Sequence, residues 1–156
     1  MNDKKNLLTI GAVVLLFIAA IVYWLSSGSD SVAAVSSQAF YTTDNGQTWF
    51  KDDLRKVPPF DHNGKPAYRC YLYSENGGKP IVAYLERYND EAKKVVERLA
   101  QPGSQPDPLS MQTVMKGMEV KKPGAPDSDW VTRSDPRYPS IALPNGPSGN
   151  GVSVEP

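Results

Sequence analysis

A chain of 156 residues with 17 basic and 17 acidic side chains has no net charge to attract a polyanion, which excludes nucleic acid as a partner. A single cysteine, Cys70, excludes an intramolecular disulfide, and a single histidine, His62, excludes a histidine-based metal site. Beyond an apolar N-terminal run there is room for one domain of roughly 100 residues with a modest core.

That run, residues 7–25, reads LLTIGAVVLLFIAAIVYWL and carries no charge. As a helix it spans about 28 Å at ~1.5 Å per residue, close to the hydrocarbon thickness of a bilayer. Lys4 and Lys5 precede it, whereas residues 26–38, SSGSDSVAAVSSQ, contain no Lys or Arg. Basic residues stay inside, so residues 1–6 are expected in the cytoplasm, 7–25 across the membrane and the remainder outside. Tyr23 and Trp24 stand at the exit end, where amphipathic aromatics settle at headgroup level. The alternative is a cleaved secretory signal with its cleavage site around Val32-Ala33-Ala34, which would secrete the same remainder. Against it, the apolar core exceeds the usual length of about 7 to 15 residues. Small polar residues with no sustained period make 26–38 a flexible tether.

The folded domain is expected over 39–133. AFYTT reads as a strand, DNGQ as a turn and TWF as the return strand. Asp44, Asn45 and Gly46 suit that turn, because Asn and Gly tolerate positive φ and Asp accepts from nearby amides. The segment from Thr42 to Trp49, TTDNGQTW, resembles the Asp-box (Ser/Thr-x-Asp-x-Gly-x-Thr-Trp/Phe) of sialidases and other BNR-repeat propellers. Thr42, Asp44, Gly46, Thr48 and Trp49 fill its five patterned positions. The resemblance covers eight residues in one copy, and a domain of this size cannot hold a propeller of four-stranded blades. It implies a folding device in which Asp44 ties the turn, Gly46 takes the positive φ and Trp49 enters the core. Its company in carbohydrate-active proteins makes a glycan the alternative ligand class.

KDDLRKVPPFDHNGKP reads as a loop with a turn at Asn63-Gly64. PAYRCYLYSE and PIVAYLERY then flank Asn76-Gly77-Gly78-Lys79 and predict a hairpin. With Gly77-Gly78 as the loop, Cys70 faces Leu85, Leu72 faces Ala83 and Ser74 faces Ile81 on one side. Tyr71 faces Tyr84, Tyr73 faces Val82 and Arg69 faces Glu86 on the other. Asn89 caps a following helix with the apolar stripe Ala92, Val95, Val96 and Leu99, expected to lie on the Cys70/Leu72/Leu85 face. Pro102-Gly103 ends it, and residues 102–109 form a loop. Residues 111–118 fit helix or strand by spacing; a short helical turn near 110–115 followed by a strand over 117–122 is the preferred reading, returning through Trp130-Val131-Thr132. From Ser134 on, proline, glycine and polar residues predict a disordered tail, 134–156, with partial packing through Tyr138, Ile141 and Leu143.

The fold class expected is α+β: a membrane helix, then a small antiparallel sheet with one packed helix and that tail. No catalytic, cofactor-binding or metal-ligating set emerges. His62 has Asp61 beside it but no nucleophile elbow or second histidine, and Asp52, Asp53 and Asp61 follow no catalytic spacing. Cys70 reads as a small buried hydrophobe. Tyr71, Tyr73 and Tyr84 form the candidate partner face, since tyrosine is enriched at interfaces. The leading expectation is a non-enzymatic, membrane-anchored extracytoplasmic interaction or envelope-scaffold module. A carbohydrate-binding or carbohydrate-active domain is the second. A pilin-like filament subunit is the third, although the prepilin cleavage pattern and its glutamate are missing.

Overall fold

The computed structural model describes residues 37–143, Gly146, Gly149 and 151–156. The expected membrane span and most of the tether lie outside the described residues. No helix among the described residues is long and apolar enough to cross a membrane.

The strands are β1 (Gln38–Thr42), β2 (Phe50–Asp53), β3 (Phe60–His62), β4 (Lys65–Ser74), β5 (Ile81–Tyr88), β6 (Met118–Lys121), β7 (Val131–Thr132) and β8 (Val152–Ser153). The helices are α1 (Asp90–Leu99), α2 (Pro108–Gly117) and α3 (Tyr138–Ile141). The sheet runs β2-β1-β4-β5-β6-β7, with β3 and β8 also paired to β4. Every pairing is antiparallel, so the described residues form an α+β unit around one antiparallel sheet of eight strands. Ser36–Pro156 forms one compact unit.

β4 organises the sheet because its alternating sequence serves two faces at once. Tyr68, Cys70 and Leu72 join Phe40, Leu85, Trp130, Trp49, Val82 and Val154 in one apolar cluster. Arg69, Tyr71 and Tyr73 point the other way, as successive side chains on a strand must. A second cluster gathers Val120, Val131 and Ile141, with Tyr84, Tyr138 and Ala142 against it.

The β4–β5 register matches the sequence pattern at Arg69↔Glu86, Cys70↔Leu85 and Tyr71↔Tyr84, then departs from it. Leu72 faces Val82 and Tyr73 faces Ile81, which leaves Ala83 as an extra residue on β5. The turn is the cause. Its central residues are Asn76 (φ 51°) and Gly77 (φ 71°), not Gly77-Gly78, and Gly78 N–H donates to the Glu75 carbonyl at 2.8 Å. Asn-Gly supplies both positive φ values of a type I′ turn. Pro80 then has no N–H to give, so pairing resumes only at Ile81. The bulge restores the register farther along.

Helix α1 begins where the sequence places it, with the Asn89 side chain accepting from Ala92 N. Its position corrects the expectation. Phe40, Trp49, Tyr68 and Trp130 already fill the Cys70/Leu72/Leu85 face. Val96 and Leu99 instead line a cavity with Arg69 and Tyr88, on the tyrosine side of the sheet. α1 also packs on α2, and the contact is close. A Cβ at Gly117 would lie 2.4 Å from Ala92 Cβ and 2.5 Å from Asn89 Oδ1. Residues 111–117 are helical, and Gly117 is the last residue of α2, where that approach leaves no room for a side chain. α2 starts at Pro108, inside the expected 102–109 loop, with the Asp107 carboxylate accepting from Ser110 N.

Two further corrections concern segments whose own composition is uninformative. Phe60–His62 is a strand, paired to β4 through the Asn63-Gly64 turn. The tail expected to be disordered contributes α3, which packs through Ile141 and Tyr138, and β8, which pairs Tyr73↔Ser153 and Ser74↔Val152. The folded unit therefore extends beyond residue 133.

Candidate functional site

The turn after β1 is built around one carboxylate. Asp44 Oδ1 accepts from Gln47 N at 3.0 Å, Thr48 N at 2.9 Å and the Thr42 hydroxyl at 2.8 Å. Its Oδ2 accepts from the Thr48 hydroxyl at 2.5 Å. Thr42 Oγ1 in turn accepts from Gly46 N at 3.0 Å. Partial burial works to raise the Asp44 pKa, but the Thr48 hydroxyl and amide, with Thr42 and Gln47, outweigh it and hold the carboxyl below its ordinary 3.8. Gly46 has φ 88°, and a Cβ there would meet Pro123 Cβ at 3.0 Å. Trp49 is half-buried against the Cys70 cluster.

Asp44→Ala is expected to lower stability by about 1 to 2 kcal/mol, because the exposed Gln47 and Thr48 amides can turn to water. The sign with pH follows from the depressed pKa. Asp44 stabilises the fold fully above pH 3.8, and that contribution is lost as pH falls through the lower folded value. Urea melts of the two proteins should differ at neutral pH and converge in strong acid.

The turn is the wall of a cleft. Asn45 Nδ2 donates to the Ala125 carbonyl at 2.9 Å, and Gly124 N donates to the Asn45 carbonyl at 2.9 Å. These bonds fix the segment after β6 opposite the turn. Between them lies a cavity of about 410 Å³ lined by Thr43, Asp44, Asn45, Pro66, Tyr68, Lys121, Ala125, Pro126 and Asp127. Lys121 is buried, its ammonium 2.9 Å from Asp127 Oδ1 and 4.9 Å from the Trp130 ring centroid. That bond from Lys121 holds the Asp127 carboxyl below its ordinary range. Arg87 covers the same indole, its Cζ 4.3 Å from the centroid, and Tyr68 leans on it with centroids 5.1 Å apart. Asn45 Oδ1 is buried and accepts no hydrogen bond. The cleft thus combines an aromatic edge, a carboxylate and an ammonium, with one unused acceptor buried in its wall. Sequence reasoning found the Asp44 wall but missed Lys121 and Asp127, for which only the residue types were visible.

The tyrosines lie together but are not a free patch. Tyr71 and Tyr84 stack with centroids 4.5 Å apart and planes at 16°, both half-buried. Tyr71 Oη donates to Glu86 Oε2 at 3.1 Å. Tyr73 is only 5% exposed, with Gly146 set so close that a Cβ there would lie 2.3 Å from its ring. The C-terminal segment takes Tyr73 out of the candidate partner face. Between Tyr71 and Tyr41, Arg69 Nη1 stands 3.8 Å from Glu86 Oε1. Burial pushes the Glu86 carboxyl up, against the pull of Arg69 and Tyr71.

The other polar residues are spent locally. The His62 ring stacks on Phe50 with centroids 4.1 Å apart. Asp52 pairs with Lys56 at 2.7 Å, Asp53 with Arg55 at 2.6 Å, and Asp61 Oδ1 accepts from Gly64 N at 3.3 Å. Burial pushes the Cys70 thiol up to about 12, which leaves it a packing residue. No group of three metal-ligating side chains occurs among the described residues. No protein-family model, curated protein or solved structure matches the chain.

Proposed function

We propose that this chain is a non-enzymatic, membrane-anchored binding module of the cell envelope, and that its ligand is a glycan unit held in the cleft beside the Asp44 turn. The observation that carries the reading is the cleft itself. Tyr68 supplies an amphipathic ring, Asn45 Oδ1 an unused buried acceptor, and Lys121 and Asp127 a fixed donor and acceptor. A few convergent polar groups beside an apolar surface are what orient a small polar ligand, and ~410 Å³ accommodates a ring of sugar size. The anchor rests on the charge-free run 7–25 and on Lys4 and Lys5 before it.

The test is a glycan panel with residues 36–156, followed by saturation-transfer NMR on any sugar retained. Thr43→Arg, which fills the cleft, and Asn45→Gly, which removes the acceptor together with the Nδ2 bond to Ala125 while keeping a residue suited to φ 62°, should each weaken binding at least about tenfold. Failure of every glycan to bind, or binding indifferent to both substitutions, would sink the glycan reading. Reporter fusions after Asp30 and Glu155 should both read outside the cytoplasm. A cytoplasmic signal from either removes the envelope location.

A further inference from the structure

We propose that the hollow between α1 and the β2–β3 loop is a second site, for a small carboxylate with an apolar body. The hollow measures about 320 Å³, and Leu54, Val57, Pro58, Val96 and Leu99 give it apolar walls. Arg69 is its half-buried cation. The stripe that should close it is incompletely packed: of the apolar residues of α1, only Ala92 is buried, while Val96 and Leu99 remain half-buried beside the hollow. Apolar surface left uncovered at the edge of a core is where an apolar ligand gains most.

The arginine supplies the chemistry. Arg55 and Lys56 also line the hollow, but Asp53 and Asp52 hold them at 2.6 and 2.7 Å. Arg69 is held otherwise. Nη2 donates to the Leu54 carbonyl at 2.9 Å and reaches Tyr41 Oη at 3.5 Å. Its nearest Glu86 oxygen is 3.8 Å away, beyond a hydrogen bond. Nε–H is buried and has no acceptor. A buried donor without a partner is costly, so a ligand that draws the guanidinium toward the hollow and supplies the acceptor recovers that cost on binding. A guanidinium fork with unspent donors matches a carboxylate better than it matches a single carbonyl. The apolar walls then select the body of the acid. This site shares no lining residue with the Asp44 cleft, so the two stand or fall separately.

Phenylacetate, phenylacetamide and benzylammonium serve as probes of equal bulk against the purified full chain, followed by amide and arginine Nε–H NMR shifts. Phenylacetate should shift the Arg69 Nε–H together with the Leu54, Val96 and Leu99 amides, and bind about tenfold more tightly than the amide. Benzylammonium should leave these signals in place. Val96→Trp, which fills the hollow from the helix side, should abolish the shifts. If that variant melts far below wild type, Arg69→Lys, which keeps the charge but not the fork, should cut phenylacetate affinity while leaving any phenylacetamide binding nearly unchanged. Equal affinity for acid and amide, shifts confined to another surface, or no response to phenylacetate at millimolar concentration would each overturn the proposal.

Discussion

Trp130→Ala is expected to cost about 3 to 5 kcal/mol, the range for removing a large aromatic from a packed core. The ring is 9% exposed and sits in the cluster with Phe40, Cys70, Leu72 and Leu85. It also stands between two cations, with Arg87 Cζ at 4.3 Å and Lys121 Nζ at 4.9 Å from its centroid. Removing it both opens a cavity and strips a buried ammonium of a favourable neighbour. Glu119 still holds Arg87 at 2.7 Å and Asp127 still holds Lys121 at 2.9 Å, so neither charge is left bare. The loss should therefore stay within the packing range. Trp130→Phe keeps a ring in the cavity and should recover the larger part of it. The measurement is a urea midpoint for all three proteins at constant slope. A cost for Trp130→Ala under about 1 kcal/mol would mean the indole does not support the Cys70 face.

What the sequence made legible in this fold is what neighbouring residues decide together. Asn89 and the acids after it set the start of α1, and the Asp44 turn carries its own ligands within five residues. The pairs Arg69↔Glu86, Cys70↔Leu85 and Tyr71↔Tyr84 followed from alternation alone. The errors share one character. Alternation says that β4 has two faces, but not which one a helix will cover, and Trp130 and Trp49 took the face assigned to α1. Ala83 bulges because the turn used Asn76-Gly77 and Pro80 interrupted the pairing, a compensation that an unbroken pattern hides. The candidate cleft was half legible. Its Asp44 wall is a local motif, whereas Lys121 and Asp127 reach it only through the bonds that join Asn45 to Gly124 and Ala125. Arg69 was visible as a strand charge opposite Glu86, and nothing in the spacing told that Glu86 would be buried and Arg69 half-buried.

The C-terminal segment carries the second large effect, because composition argued against any order there. A chain ending at Leu143 should lose about 3 kcal/mol or more and should associate at raised concentration. The first part of that loss is Tyr73. Its ring is 5% exposed with Gly146 against it, and opening it to water forfeits most of the burial of an aromatic side chain. The second part is Val154, which packs on the Cys70 cluster while its N–H donates to the Leu72 carbonyl at 3.0 Å. The tendency to associate comes from β4. With β8 gone, the groups that paired Tyr73 with Ser153 and Ser74 with Val152 become an open strand edge, a template for another chain. Gly146→Val separates the two effects. It keeps β8 in the chain but places a branched side chain at φ 72°, where the first added carbon meets the Tyr73 ring. That variant should lose stability without the tendency to associate. Thermal melts and light scattering on the full chain, the shortened chain and Gly146→Val distinguish the outcomes. Equal melting temperatures for the full and shortened chains would mean that the segment lies on the sheet without supporting it, as its proline and glycine content first suggests.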